Sequence, residues 1–285
     1  MRRSAVLLLA LVLLIVGGST LAAKAAPKPP PAPPPPVPTQ PPTQGTPPGT
    51  SAYDDLVWSQ SPALFLSNGK DLSGRGHAVT SHAGQASTAP NGDQVTAYNG
   101  STDYTEVADA NDLSIMHTGI FTMEAWFRPD VVNFTNYEAE GYVHWLGKGV
   151  ANQHEYVARI YNQSAIDRPN RVSGYAFKLG GGLGAGSYFQ DPMTAGEWIH
   201  WAVVVDTVHK DSKGWGTIRI YKNAVLRDTD TLGGTYKITP GNGTAPFRVG
   251  TRDFGSFFQG AIGKVAVYNY DASQHLSAHV AAMRR

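Results

Sequence analysis

No cysteine occurs among the 285 residues, and that absence closes several chemistries at once. Disulfides, thiolate zinc sites, Fe–S clusters, cysteine nucleophiles and a lipoprotein anchor on an N-terminal cysteine are all excluded. Charge is scarce. Asp, Glu, Lys and Arg make up 16% of the chain, against roughly 25% in average globular proteins. Neither sign dominates: 23 basic residues face 22 acidic ones, for a formal net charge of +1. This balance supplies no field to gather phosphate backbones, which argues against nucleic acid as a partner. Common catalytic strings are missing too. The run Gly180-Gly-Gly-Leu-Gly-Ala-Gly lacks the Lys-Ser/Thr and the strand–helix unit of a nucleotide loop, and neither G-x-S-x-G nor H-E-x-x-H is present. Internal repeats of about 20–50 residues are likewise absent. What is abundant is glycine (31) and aromatic side chains (10 Phe, 13 Tyr, 6 Trp), the composition of a secreted β protein.

The first 52 residues read as something other than fold. Arg2 and Arg3 precede an apolar run from Ala5 to Val16, then small residues through Ala26. This is the layout of a secretory signal with Ala23-Lys24-Ala25 as its A-x-A site. Its uncharged stretch from Ser4 to Ala23 also approaches the roughly 20 residues that span a bilayer, so an uncleaved anchor over 1–26 is the alternative. Residues 27–52 are mostly Pro, Ala, Thr and Gln, which favours a semi-rigid polyproline II spacer. The chain is thus expected to be secreted or held at the cell surface, touching a membrane only through its N-terminal segment. Removing Arg2, Arg3, Lys24 and Lys28 leaves 19 basic against 22 acidic residues in 53–285, long enough for one large core.

That region is patterned as strands. Phe121-Thr-Met-Glu-Ala-Trp-Phe-Arg alternates, and Pro129-Asp130 ends it. Ile199 to Val205 is apolar on both faces, as a central sandwich strand is. Thr217 to Tyr221 alternates again before a tight turn at Lys222-Asn223-Ala224, and Ile262 to Tyr268 is a further strand. Only the end reads as helix, with Ser273 as N-cap and Leu276, Val280 and Met283 on one face. These features predict an all-β, two-sheet antiparallel β-sandwich, a jelly roll with a short C-terminal helix.

Six motifs in order resemble the laminin-G-like jelly roll of the concanavalin A-like lectin/glucanase superfamily. They are Asp71-Leu-Ser-Gly-Arg-Gly-His, Tyr98-Asn-Gly-Ser-Thr-Asp-Tyr-Thr-Glu-Val-Ala-Asp, Phe121-Thr-Met-Glu-Ala-Trp-Phe-Arg-Pro-Asp, Trp198-Ile-His-Trp-Ala-Val-Val-Val-Asp, Ile218-Arg-Ile-Tyr-Lys-Asn-Ala and Phe258-Gln-Gly-Ala-Ile-Gly-Lys-Val-Ala-Val-Tyr-Asn. The resemblance implies a fold far more than a ligand. It also raises a structural Ca²⁺, held in related jelly rolls by an acidic residue near the last strand. Here Gly263-Lys264 replaces the usual Asp-Glu pair, which argues against that site and leaves Asp71 as the one candidate metal ligand.

The superfamily's glucanases carry E-x-D-x-x-E, where i and i+2 bring nucleophile and acid onto one face. No such string exists here. Glu106-Val-Ala-Asp-Ala-Asn-Asp112 is spaced by threes, and Glu138-Ala-Glu140 has no third acid; both read as solvated loop charge. The only metal-like histidine spacing is His275 with His279, and packing explains it better. Sugar sites combine aromatic platforms with amides, carboxylates and Arg, which directs attention to four loop regions. They are 133–145 (Asn133, Tyr137, Tyr142, Trp145), 180–191 (Tyr188) and the segments holding Trp215 and Arg252, Asp253, Phe254 and Phe257. Trp198 and Trp201 are expected in the core, and Trp126 either in the core or lining a concave sheet. The leading expectation is a non-catalytic binding module for a polysaccharide or other glycan. The alternative is an adhesion module for an extracellular protein, and a glycoside hydrolase with an unrecognised acid pair ranks third.

Overall fold

The structure, a computed structural model, describes residues 50–284. The signal or anchor expected over 1–26, and most of the Pro-rich segment expected over 27–52, lie outside the described residues. Helix α1 (Ala52–Trp58) comes first, followed by sixteen strands. They are β1 (Leu64–Ser67), β2 (Lys70–Asp71), β3 (Val79–His82), β4 (Gln85–Thr88), β5 (Gln94–Asn99), β6 (Tyr104–Val107), β7 (Ile120–Pro129) and β8 (Tyr142–Lys148). Then come β9 (Tyr156–Tyr161), β10 (Arg171–Ala176), β11 (Ala185–Gln190), β12 (Ile199–Asp206), β13 (Thr217–Lys222), β14 (Val225–Thr231), β15 (Phe247–Val249) and β16 (Gln259–Tyr268). Helix α2 (Leu276–Met283) closes the chain.

The strands form two sheets with antiparallel pairing throughout. Sheet A runs β14-β13-β12-β7-β16-β1-β2, with β5 added beside β16 and β4 beside β5. Sheet B runs β11-β10-β9-β8-β15-β6-β3. The period-2 patterns decide which residues meet between them. Phe121, Met123, Ala125 and Phe127 of β7 and Trp201, Val203 and Val205 of β12 enter the core between the sheets. They meet Val143, Trp145, Ala158, Ile160 and Val172 of sheet B there. This is the expected jelly-roll sandwich with its C-terminal helix.

The opposite face of β7 and β12 is also buried, because both helices lie on it. Tyr53 and Val57 of α1 and Val280 and Met283 of α2 pack with Trp126, Phe65 and Tyr268, while Leu276 covers Ala202 and Val204. Trp126 therefore lines no open sheet; its Nε1 donates to Tyr53 Oη at 3.1 Å. Trp201 is a core residue, and Trp198 is half-buried with Arg128 over its ring.

Two local expectations are corrected. A helix also stands at the start of the described residues: Ser51 caps α1 by accepting from the Asp54 N–H, and Asp54 and Asp55 follow in its first turn. Seven residues are too few to display a helical period in the sequence. At the other end Ser273 is no cap. It opens a single 3-10 turn, and its own N–H donates to Asp271 Oδ1 at 3.0 Å. The β13–β14 turn keeps its tightness with Asn223 and Ala224 both at positive φ, the conformation of a type I′ turn.

Candidate functional site

The outer face of sheet A is closed chemically as well as sterically. Glu124 of β7 is fully buried and accepts from Tyr268 Oη (2.8 Å), His200 Nε2 (2.9 Å) and His279 Nδ1 (3.0 Å). His279 reaches Gln60 Oε1 at 2.7 Å with its other nitrogen. Burial pushes the Glu124 carboxyl upward, but the His279 charge and the His200 hydrogen bond outweigh it and hold it far below the usual range. His279 is thus a packing residue that pins α2, and the Glu124, His200 and His279 ligand atoms are spent on one another.

The outer face of sheet B carries no helix among the described residues, and its side chains are polar and aromatic. Period 2 brings Tyr142 and His144 of β8, Arg159 and Tyr161 of β9, Arg171, Ser173 and Tyr175 of β10 and Tyr188 of β11 onto it. At its centre the Arg159 guanidinium lies between two rings, 4.0 Å from the Tyr142 centroid and 4.7 Å from that of Tyr175. Its Nε and Nη2 donate to His144 Nε2 at 3.1 and 3.0 Å, and Nη1 donates to Tyr161 Oη at 3.3 Å. The Tyr175 ring lies flat across β11, because Gly186 offers no Cβ; one built there would stand 2.3 Å from the ring. Gly184 makes the same room for Phe177. On the β11 side Arg171 stacks 3.9 Å over Tyr188. On the other flank Phe254 lies against Tyr104, which stacks on His82, and Arg248 sits over Phe254 at 4.4 Å.

At the margin His144 joins two carboxylates. Arg159 can only donate, so His144 Nε2 accepts and the ring proton sits on Nδ1, which faces Glu138 Oε1 at 2.9 Å and Asp253 Oδ1 at 3.9 Å. With the proton there, Nδ1 has no lone pair for a metal, although Glu138, His144 and Asp253 offer ligand atoms within 4.8 Å. Ser256 also donates to Glu138, and Arg252 pairs with Asp253. Burial pushes both carboxyls up, but His144 and Ser256 outweigh it at Glu138, and His144 with Arg252 does so at Asp253; both lie below the usual range.

Next to this face is a cleft of about 450 Å³ between the β7–β8 and β9–β10 connections, lined by Tyr137, Glu140, Tyr161, Asn162, Ile166 and Arg168 among others. Arg168 donates to Tyr161 Oη at 2.9 Å, and Asn133 Oδ1 ties the two connections by accepting the Ser164 N–H at 2.9 Å.

The structure thus brings Tyr142, Tyr188, Arg252, Asp253 and Phe254 onto one sheet face, with Asn133 and Tyr137 at its rim. Trp215 stands apart, in the connection between β12 and β13 of sheet A, its ring packed on the Gly233 backbone. Two stretches read as loops contain strands instead. Tyr142 and Trp145 belong to β8, with Trp145 in the core against Trp201, and Tyr188 belongs to β11. Of the glycines in 180–191, Gly186 is a strand position crossed by a ring, while Gly180, Gly181, Gly182 and Gly184 precede the strand. Phe257 is buried. Arg159, His144, Tyr161 and Tyr175 were passed over in the sequence. Their signal was available as period-2 polar and aromatic residues in consecutive short segments.

Of the acids set aside as solvated, Glu140 stays mostly exposed, 3.6 Å from Arg168, and the others are held in closer pairs. Glu106 accepts from Arg248 Nε at 2.7 Å, Asp109 from Lys148 Nζ at 2.8 Å, and Asp112 meets His77 Nε2 at 3.0 Å. Glu138 is likewise an ordered partner of His144. Asp71 spends both oxygens on β1 and the loop that follows β2: Oδ1 accepts from the Phe65 and Ser73 N–H groups, and Oδ2 from Ser73 Oγ, His77 N and His77 Nδ1. No acceptor capacity is left on it for a cation. Beside the last strand, the Lys264 ammonium is buried among Asp54 Oδ1 (2.5 Å), Asp93 Oδ2 (2.7 Å) and Ser67 Oγ (2.8 Å). A divalent ion does not fit a cage that already contains a cation, so these residues do not suit the calcium expected of related jelly rolls.

The chain belongs to the concanavalin A-like lectin/glucanases superfamily, whose laminin-G-type model matches residues 99–275. Solved structures agree in fold. The binding domain of botulinum neurotoxin serotype C1 is 13% identical with a TM-score of 0.58, covering 80% of this chain and 53% of its own. The binding domain of botulinum neurotoxin DC, in complex with SialylT, is 14% identical with a TM-score of 0.57, covering 79% of this chain and 52% of its own. This chain spans about half the length of those domains. Domain 4 of AbnA, a GH43 extracellular arabinanase from Geobacillus stearothermophilus in complex with arabinotriose, is 15% identical with a TM-score of 0.50, covering 77% of this chain and 98% of its own. Comparison with curated proteins finds no match.

Proposed function

We propose that this domain is a non-catalytic glycan-binding module and that the outer face of sheet B is its binding surface. The observation that carries the reading is the Tyr142–Arg159–Tyr175 stack, with the Tyr175 ring laid over Gly186. Flat rings on a rigid sheet suit the C–H faces of sugars, and Arg, His and carboxylates around them suit hydroxyls. Solved neighbours in complex with arabinotriose and SialylT support the choice of ligand class. The non-catalytic half rests on Glu138 and Asp253, the one pair of carboxylates close together on this face among the described residues. A glycosidase needs a general acid with a raised pKa, whereas both of these are depressed, so neither holds a proton at neutral pH.

A leader over 1–26 and a Pro-rich spacer over 27–52 complete the proposal as a module displayed outside the membrane from 53 onward. The adhesion alternative draws on Ile166, 96% exposed beside the half-exposed Tyr137, an apolar pair suited to a protein partner. Thermal unfolding against a polysaccharide panel tests the choice. A bound glycan at 100 times its dissociation constant adds about 2.7 kcal/mol of stability; a panel without any shift overturns the glycan reading.

A further inference from the structure

We infer that the glycan is acidic, and that Arg159 and Arg171 each take one of its carboxylates; this rests on the binding face proposed above. The two arginines are built alike. Each presents its Nε and Nη2 to a neutral acceptor: Arg159 to His144 Nε2, and Arg171 to Gln190 Oε1 at 3.1 and 3.0 Å. Each lies on tyrosine, Arg159 between Tyr142 and Tyr175 and Arg171 over Tyr188. A guanidinium has five N–H donors. After these contacts, and the one from Arg159 to Tyr161, both keep a free N–H on Nη1 and on Nη2, the fork that binds a carboxylate bidentately.

Their neighbours are different. Arg248 is paired with Glu106, Arg252 with Asp253 and Arg168 with Glu140. Arg159 and Arg171 meet no carboxylate among the described residues, so two positive charges on this face are fixed in pose and not neutralised. Fixing a long side chain before binding removes most of its ordering cost. Arg159 is in register with Ser173, two residues from Arg171 on the same strand face. That is a diagonal pair about 7–8 Å apart, and the buried Ser173 hydroxyl beside both has no partner among the described residues. From these neighbouring positions Arg159 reaches toward β8 and Arg171 toward β11, so the two forks lie apart and suit separate acidic groups along a chain better than a single anion.

The test titrates the full chain with polygalacturonate, hyaluronan and polysialic acid, and with carboxyl-reduced polygalacturonate. The expected result is binding to at least one acidic polymer, weakened by added salt, with none to the reduced form. Arg159→Gln and Arg171→Gln should each lower the affinity about tenfold or more, while Arg128→Gln, on sheet A and paired with Asp130, keeps it. Arg171 is only partly buried, so its variant reports even if Arg159→Gln loosens the fold. Equal binding of reduced and charged polymer, or binding untouched by either variant, overturns the inference. A neutral glycan that binds and is lost in Tyr175→Ala leaves the glycan reading standing and removes this one. A chain that binds no polysaccharide removes both.

Discussion

Lys264→Met should unfold this domain early. The ammonium sits among Asp54 of α1, Ser67 of β1 and Asp93 before β5, with the Tyr53 ring 5.6 Å away. Methionine keeps the stem and removes the charge, leaving two carboxylates aimed at an empty place. Breaking a buried pair on one side costs about 3–5 kcal/mol. Here the lower end applies. Asp54 retains Thr50 Oγ1 and Ser67 Oγ as donors, and Asp93 retains Ser51 Oγ and Asn91 Nδ2. For a domain of this size about 3 kcal/mol lowers the melting temperature by roughly 6–12 °C. The assay is thermal unfolding of wild type, Lys264→Met and the double variant Lys264→Met/Asp54→Asn, with calcium or chelator as a second axis. The double variant should recover part of the loss, since it removes one stranded charge. Calcium and chelator should leave wild type unchanged, because an ammonium fills the cage. A Lys264→Met protein within 1 kcal/mol of wild type, or a wild type that melts earlier in chelator, refutes the reasoning.

Three further outcomes follow from the same contacts. His77 bridges Asp112 and Asp71, and their hydrogen bonds raise its pKa to about 9. Its folded pKa exceeds the unfolded value of about 6.5, so its contribution is complete below that pH and is lost as pH rises through about 9; denaturant midpoints should show the slope, and His77→Gln should abolish it. Gly186→Ala puts a methyl against the Tyr175 ring and should cost about 1–3 kcal/mol while sharply weakening glycan binding by titration calorimetry. Glu124→Gln leaves His200 and His279 without their buried anion and should cost about 3 kcal/mol or more, with hydrogen exchange rising first in α2.

Sheet A was legible because its strands obey simple rules. The β7 alternation Phe121, Met123, Ala125, Phe127 and the doubly apolar β12 state where they lie, and the six motifs fix their order. Sheet B was harder. In β8 and β9 the outward residues are Tyr142, His144, Arg159 and Tyr161, large enough to blur the contrast with the core positions Trp145 and Ile160. At β11, Gly186 and the glycine run just before the strand look like a loop. Loop segments therefore received the aromatic candidates, and Trp215 proved to lie on another sheet. Arg159 was missed because its partners come from β8 and β10, and its role exists only after those strands pair. Lys264 was legible as a departure from the family pattern, but its partners Asp54 and Asp93 were not, since they lie at least 171 residues away in sequence.

The most direct measurement compares Tyr175→Ala with Trp215→Ala by calorimetric titration against whichever polysaccharide shifts the melting of wild type. Both variants remove one aromatic ring, but only Tyr175 belongs to the sheet B platform. The account predicts that Tyr175→Ala loses about tenfold or more in affinity, at 1.4 kcal/mol per decade, while Trp215→Ala binds as wild type does. Full binding by Tyr175→Ala with loss in Trp215→Ala would contradict it and move the site to the β12–β13 connection.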